Sequence, residues 1–133
     1  MAYWLVKTEP STYSFADLQR DGRTRWDGIT NPVALRHLQA ASQGDGVVVY
    51  HTGGERRAVG LAEVVKAAYP DPRDARLSVV ELGAGSPLRK PVELAALKAD
   101  PLFAGSPLVR QGRLSFVPLD EAQYRRLLAL AGA

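Results

Sequence analysis

With 133 residues, the chain is long enough for one domain with a buried core, and a hydrophobic fraction of 46% argues against disorder. Cysteine is absent, so disulfide bonds and cysteine-based zinc or thiol chemistry are excluded, which suits a reducing compartment. The formal net charge is +3 and thirteen of the seventeen basic residues are arginine, a composition that permits contacts to phosphates but is equally typical of a GC-rich genome or a hot habitat.

The N-terminus shows no signal for export or for insertion into a membrane. No basic segment precedes an apolar stretch there, and no apolar run in the chain approaches the length that a bilayer requires. We therefore expect a single domain over residues 1–133, in a monomeric, soluble and cytoplasmic protein with no membrane partner.

The first predicted element is a β-strand through Leu5 and Val6, where large apolar side chains alternate. Pro10 ends this strand, because proline cannot donate to a sheet ladder. The strand ends on Lys7–Glu9 and would deliver a cation, a hydroxyl and a carboxylate to one rim of the sheet. Either a solvated pair of charges or a polar recognition rim fits this pattern.

The next segment is predicted to be helix, loop and helix. Ser14 and Asp17 form a variant of the capping box, which predicts a short first helix. Arg23–Gly28 ends in the turn dipeptide Asp-Gly and is predicted as a loop. Asn31 and Pro32 then open a second helix, because asparagine caps helices and a proline in the first turn loses no hydrogen bond.

The rest of the chain predicts more strands with short helices between them. Apolar and β-branched runs predict strands over Gly46–His51, Ala58–Lys66, Leu77–Leu82 and Leu114–Val117, and helices are expected over Glu93–Ala99 and after the cap residue Asp120. Gly83–Pro87 is predicted as a flexible connector. This order of elements favours an α+β domain with a curved or barrel-like mixed β-sheet flanked by short helices.

The two tryptophans lie in different surroundings. Trp4 alternates within a strand pattern, so we expect it in the core. Trp26 lies between charged residues next to a glycine, and this setting favours a half-exposed or ligand-facing ring over the commoner buried position. An indole that faces a ligand can stack on a nucleobase, which stabilises a complex by about 1–3 kcal/mol per base.

Other polar residues allow more than one role. Asn31 caps a helix and is a candidate ligand contact, and fixing its own turn is a sufficient role for Asp27. For His51, next to Tyr50 at a strand end, an exposed turn position and a pocket role are equally supported. His37 lies on a predicted helix surface. Two distant histidines without matching carboxylates do not make a metal site, so we predict neither a metal nor a cofactor.

Signals for catalysis are weak. The sequence contains no phosphate-binding loop, no zinc-binding helix signature and no serine-nucleophile elbow. Glu9 and Asp27 are conceivable as an acid–base pair, but the sequence gives no distance between them. We therefore predict that the chain is not an enzyme.

Several segments of the chain resemble one known family. The opening Tyr3–Pro10, with the sequence YWLVKTEP, is similar to the YWL-x-K-[ST]-E-P start of EVE domains, a branch of the PUA-like fold. Further similar segments follow in family order over nearly the whole chain, at Trp26–Asn31, Gly44–Asp45, Val47–His51, Val59–Val64, Ala68–Pro72, Pro91–Val92, Leu97–Pro101 and Leu108–Ser115.

The resemblance implies a PUA-like fold and a non-enzymatic reader of a modified nucleobase, a modified cytosine in DNA or RNA, which leaves its stack to enter a pocket. It implies base contacts from Trp26, Lys7, Thr8, Glu9, Asn31, Tyr50, His51 and Ser115, and phosphate contacts from Arg110, Arg25 and Arg113. Family members commonly carry arginine and tyrosine where this chain has Thr30 and Pro32, so a fork-shaped donor and a ring are missing here.

Two other classes stay open at this point. One is a small enzyme that acts on a free nucleotide or a modified base through Glu9, Asp27 and His51. The other is an RNA-binding accessory of an RNA-modification or translation complex. DNA and RNA are not separated, because no residue pattern identifies a group that reads the 2′-OH.

Overall fold

The structure, a computed structural model that describes residues 1–132, contains six β-strands and five short α-helices in that range. The strands are β1 (Tyr3–Thr8), β2 (Arg23–Trp26), β3 (Gly46–His51), β4 (Arg57–Asp71), β5 (Asp74–Glu93) and β6 (Phe116–Leu119). The helices are α1 (Phe15–Asp21), α2 (Pro32–Ala40), α3 (Leu94–Ala99), α4 (Pro107–Arg110) and α5 (Glu121–Leu130), with a 3-10 turn at Pro101–Phe103. None of the helices described is long and apolar enough to cross a bilayer.

The strands form one mixed sheet in the order β2-β5-β4-β3-β1-β6. β1 runs parallel to β3 and antiparallel to β6, and the other neighbours are antiparallel. The pairing of β4 with β5 shifts register several times, and such bulges bend strands and increase their twist. The predicted α+β class is confirmed, and the mixed sheet is open rather than a closed barrel.

The core is built around the neighbouring strands β1 and β3. The side chains of Leu5, Val6 and Val47–Val49 are fully buried. Such a continuous apolar run is typical of strands that are covered on both faces. Leu18 of α1 and Leu38 of α2 are also fully buried, so these helices contribute to the cover.

The predicted helix starts are confirmed. The Ser14 side chain accepts a hydrogen bond from the Asp17 main chain, and the Asp17 side chain bonds back to Ser14. Asp120 and Gln123 form the same reciprocal pair at α5. Asn31 Oδ1 accepts from two N–H groups in the first turn of α2, at 2.9 and 3.2 Å. Local capping chemistry therefore sets these three helix boundaries.

Two predicted loops are strands in the structure. Arg23–Trp26 is β2, because it pairs antiparallel with Val80–Gly83 of β5. Gly83–Pro87 lies inside β5 and is not a flexible connector. Gly85 explains why this segment reads as a loop: a Cβ there would lie 2.7 Å from the carbonyl oxygen of Leu61, so glycine is required for two backbones to approach.

The region before the last strand also differs from the prediction. The 3-10 turn and α4 were not expected, although Asp100 before Pro101 and Ser106 before Pro107 repeat the cap-then-proline signal that opens α2. The last strand covers Phe116–Leu119 and so begins two residues later than predicted.

Gly60 of β4 lies against the ring of Phe15, where a side chain does not fit. A Cβ at Gly60 would lie 2.4 Å from the nearest ring carbons. We expect Gly60→Ala to lower the free energy of unfolding by about 1–3 kcal/mol, the usual cost of overpacking a core. Gly54→Ala is the matched control, because no atom lies within 4 Å of a Cβ built there. Similar urea midpoints for the two variants would contradict this account.

Candidate functional site

A cleft of about 560 Å³ lies between the ends of β1 and β2. Its lining comes from these strand ends, from the turns that follow them and from the residue before β6: Lys7, Thr8, Glu9, Thr12, Tyr13, Thr24, Arg25, Trp26, Asp27, Gly28, Ile29 and Ser115. Three strands separate β1 from β2 in the sheet order, so the sheet must curl to bring them together. The cleft is within the usual size range of ligand pockets, about 300–1,000 Å³.

The turn after β1 forms a fixed polar wall. The Thr8 hydroxyl donates to the carbonyl oxygen of Tyr13 at 2.7 Å. The Glu9 carbonyl oxygen accepts from the main-chain N–H groups of Thr12 and Tyr13, each at 2.9 Å. Glu9 Oε2 accepts from the main chain and the hydroxyl of Ser11. These contacts hold the exposed Glu9 carboxylate through Oε2, and Oε1 lies toward Gly53.

Trp26 forms the aromatic wall opposite this turn. It pairs with Val80 in β5, and the Tyr13 ring meets it edge-on, with centroids 6.2 Å apart and planes at 81°. Only 7% of Trp26 is exposed, so the prediction of a half-exposed ring is wrong, because strand pairing and Tyr13 cover most of it. The ring nevertheless lines the cleft and is thus both a core residue and a wall.

Tyr13 is held in place by a second contact. Its hydroxyl donates to Asp21 at 2.8 Å. Burial raises the pKa of Tyr13, a hydrogen bond with the Thr24 side chain lowers it, and the Asp21 carboxylate raises it. The phenol therefore stays neutral at physiological pH, and its edge-on contact keeps the Trp26 ring oriented.

Charged groups lie at the rim of the cleft. The half-buried Lys7 donates to the carbonyl oxygen of Gly112 at 3.0 Å, and burial lowers its pKa. Arg25 is exposed and donates to the Tyr69 hydroxyl at 3.3 Å. Asp27 pairs with the guanidinium of Arg73. The rim thus carries cations that an anionic ligand would meet first.

Three predicted base contacts lie outside this lining. Tyr50 lines a neighbouring hollow and not the cleft that Trp26 and Thr8 line. His51 is buried: its Nε2 accepts from the Phe15 N–H at 3.0 Å and its Nδ1 lies 2.9 Å from Glu55. The exposed Asn31 uses its carbonyl oxygen as the cap of α2.

The predicted phosphate contacts are also divided. Arg25 lines the cleft, whereas Arg110 and Arg113 do not. Arg110 is exposed and donates to the carbonyl oxygen of Ala104 at 2.8 Å, and Arg113 is exposed next to Gly112. No group of three or more residues suited to holding a metal ion is found within residues 1–132.

Some of the lining residues are not among the candidates that the sequence indicates. Thr24 has a recoverable signal, because residues two apart on a strand share a face and Thr24 precedes Trp26 by two. Thr12, Tyr13 and Ile29 lie in turns, where no periodicity reports which side chain points into a cleft.

The structure defines an α+β domain with an open mixed sheet and a cleft lined by polar and aromatic side chains. A family model described as the EVE domain matches residues 2–130, and the chain belongs to this family. The resemblance drawn from the sequence is therefore confirmed.

Solved structures agree with this assignment. A protein from Rhodopseudomonas palustris is 38% identical, with a TM-score of 0.93 over 99% of this chain and 94% of that chain. A protein from Agrobacterium tumefaciens is 30% identical, with a TM-score of 0.95 over 99% and 94%. Human THYN1, solved in complex with DNA containing 5-methylcytosine, is 24% identical, with a TM-score of 0.92 over 100% and 99%. The comparison with curated proteins gives no match.

Proposed function

We propose that this EVE domain is a non-catalytic reader of modified cytosine in DNA, and that the cleft receives the base after it has left its stack. The observation that carries the proposal is the pairing of the Trp26 ring with the Glu9 carboxylate in one cleft of about 560 Å³. The human THYN1 structure, which contains 5-methylcytosine DNA, supports the choice of ligand.

Stacking on the aromatic wall of the cleft can offset the free-energy cost of extruding a base. Flipping a base out of a duplex costs a few kcal/mol, and stacking on an aromatic ring recovers about 1–3 kcal/mol. Trp26 and Tyr13 supply the rings, and the buried Ile29 continues the same wall. A 5-methyl group packed on this wall would add about 0.8 kcal/mol, or about a fourfold preference over cytosine.

The polar wall matches the edge of cytosine. Its exocyclic amino group is a hydrogen-bond donor, for which a carboxylate such as Glu9 is a suitable acceptor. Its ring nitrogen and carbonyl oxygen are acceptors, for which the hydroxyl groups of Thr12 and Ser115 are suitable donors. Lys7 at the rim adds a positive charge beside the strand that carries the base.

This arrangement does not support the alternative function, a small enzyme that acts through Glu9, Asp27 and His51. Glu9 and Asp27 line the cleft, but His51 lies outside the lining with both ring nitrogens engaged. Asp27 is paired with Arg73, which favours a structural use of its charge. We therefore expect purified protein to leave modified oligonucleotides chemically unchanged in mass spectrometry.

Glu9→Gln tests the proposed contact to the base. The variant keeps the shape of the side chain and one acceptor oxygen but loses the charge. A charge-assisted hydrogen bond is stronger than a neutral one by about 1 kcal/mol. We expect the affinity for an oligonucleotide with one 5-methylcytosine to fall about fivefold in fluorescence anisotropy. Glu63→Gln is the control, because Glu63 is exposed and lies outside the cleft.

The same assay can contradict the proposal in two ways. Equal affinities for modified and unmodified oligonucleotides in the wild type would reject the reader function. A Glu9→Gln affinity equal to that of Glu63→Gln would reject the Glu9 contact. Binding to single strands should exceed binding to duplexes at the same modified site, because no base has to be extruded.

A further inference from the structure

A second hollow of about 230 Å³ lies beside the cleft, and the side chain of Lys7 lines both. The hollow is formed by the end of β3, the turn before β4, helix α3 and the α4 segment. The residues that matter for its chemistry are Lys7, Tyr50, Arg56, Lys98 and Gly112.

The charge of this hollow is one-sided. Lys7, Arg56 and Lys98 line it, whereas the carboxylates of Glu9, beside Gly53, and of Glu93, which acts on Tyr50, lie outside the lining. None of these three cations belongs to an ion pair among residues 1–132. The adjacent Arg57, in contrast, is paired with Glu55 and Glu93. Clefts lined by one sign of charge concentrate counter-ions, so the hollow favours an anion.

The backbone holds Arg56 in an uncommon conformation. Its φ is +47°, and it is the one non-glycine residue with positive φ in the described chain. Its carbonyl oxygen accepts from the Leu94 N–H at 2.9 Å, which ties the turn to α3. Non-glycine residues in this region are strained and cluster at binding sites. The turn thus holds Arg56, which has no ion-pair partner in the described chain, beside the hollow.

Two other groups make the hollow suitable for an anion. The Lys7 Nζ lies 5.6 Å from the centroid of the Tyr50 ring, and its bond to Gly112 leaves further donors on the ammonium. Burial raises the pKa of Tyr50, the charge of Arg56 acts on it in the opposite direction, and the charge of Glu93 raises it as well. The phenol is therefore a neutral donor within the field of the Arg56 guanidinium.

We propose that this hollow binds a backbone phosphate of the strand whose base enters the cleft, through Lys7, Arg56 and Lys98. The inference rests on the proposed function, since it takes the base to be in the adjacent cleft. Lys7 connects the two sites, so one strand can place a base in the first and a phosphate in the second. Phosphate contacts fix register and do not read sequence. The hollow would therefore add affinity without adding preference for the modification.

The double variant Arg56→Gln/Lys98→Gln is the main test. We expect its affinity for the 5-methylcytosine oligonucleotide to fall about tenfold or more, as for loss of charge-assisted hydrogen bonds. The slope of log affinity against log salt should become shallower by about 0.7 on a single strand and about 0.9 on duplex DNA for the one phosphate released. The ratio of modified to unmodified affinities should not change.

The matched control is Arg36→Gln/Lys90→Gln. It removes the same charge from exposed residues that lie outside both cavities and outside the ion pairs of the described chain. Equal affinities and equal salt slopes for the two double variants would overturn the proposal, because the effect would then be one of net charge alone.

Neutral methylphosphonate linkages identify the phosphate. Replacing single phosphates on either side of the modified base should give one position at which wild-type binding falls about tenfold. At that position the methylphosphonate should not weaken binding to the Arg56→Gln/Lys98→Gln variant any further. The two changes remove the same contact, so their effects on affinity do not add. A full additional loss in the variant would overturn the assignment.

Inorganic phosphate separates this inference from the reader function. Suppose that the protein shows no preference for modified bases. If inorganic phosphate still shifts the NMR signals of Gly53, Arg56 and Gly112, and does not do so in Arg56→Gln/Lys98→Gln, the hollow is an anion site for free phosphate. The strand phosphate would then be rejected together with the reader function. Preference for modified bases without a methylphosphonate effect would reject the phosphate site alone.

Discussion

Replacing Trp4 by alanine is expected to lower the free energy of unfolding by about 3–5 kcal/mol, as for other buried tryptophans truncated in a core. Trp4 is 6% exposed, and its ring lies 5.5 Å, centroid to centroid, from the ring of Phe116. Its indole Nε1 also donates to Asp45 at 2.9 Å. The variant would therefore leave a cavity and remove a donor from a buried carboxylate. Urea unfolding measures the effect, and a loss below about 1 kcal/mol would contradict it.

Asp45 makes the role of Trp4 dependent on pH. Burial works against its ionisation, but hydrogen bonds from the N–H of Ser42, the indole of Trp4 and the N–H of Ala2 outweigh it and lower the pKa of Asp45. A carboxyl with a lowered folded pKa stabilises the protein above its unfolded pKa, and this contribution is lost as the pH falls through the folded pKa.

Trp4→Phe isolates this electrostatic part of the effect. The variant keeps an aromatic ring but removes the donor to Asp45, so its stability deficit against the wild type should shrink on acidification. The control is to make Trp4→Phe in an Asp45→Asn protein. The titrating group is then absent, so the stability deficit of Trp4→Phe should not depend on pH. A deficit for Trp4→Phe that is the same at neutral and acidic pH would assign the loss to packing alone.

The elements that local chemistry specifies could be predicted from the sequence, and those that depend on distant partners could not. The cap of α2 is a property of Asn31 and the residues next to it. β2 forms only because Val80–Gly83, more than fifty residues away, provides its hydrogen-bond partners. The turn signal Asp27-Gly28 is real, but it begins where β2 ends. No local pattern separates a polar loop from a short polar edge strand.

The candidate site shows the same division. Lys7, Thr8, Glu9 and Trp26 were named from sequence motifs and lie together in the cleft. Tyr50 and His51 were named from their position at a strand end, but successive side chains on a strand point to opposite faces. Tyr50 faces the second hollow, and His51 binds the first N–H of α1. No residue of β3 lines the cleft, because the sheet curls so that the ends of β1 and β2 form it, and the sequence of β3 does not encode that curl.

Trp26 is expected to affect both folding and base binding. It is 7% exposed and packs against Tyr13, so Trp26→Ala should lower the free energy of unfolding by about 3–5 kcal/mol. Trp26 is therefore as much a core residue as Trp4, which the expectation of a half-exposed ring does not anticipate. The alanine variant alone therefore cannot separate a stacking role from a packing role, since partial unfolding would also weaken binding.

Trp26→Leu separates the two roles. Leucine keeps much of the apolar bulk but offers no aromatic face, so affinity for a 5-methylcytosine oligonucleotide should fall by about 1–3 kcal/mol, the contribution of one stacked base. The stability loss should be smaller than for Trp26→Ala, because less volume is removed. Affinity is measured by fluorescence anisotropy at a temperature where circular dichroism shows the variant to be folded.

Trp4→Leu provides the matched control for this measurement. Trp4 is as buried as Trp26 but does not line the cleft. Its leucine variant should lose stability while the folded protein keeps its affinity for the modified oligonucleotide. If Trp4→Leu and Trp26→Leu weaken binding equally, the loss reflects disturbed packing, and the aromatic platform for the base has to be sought in Tyr13. If only Trp26→Leu weakens binding, the indole itself contacts the base.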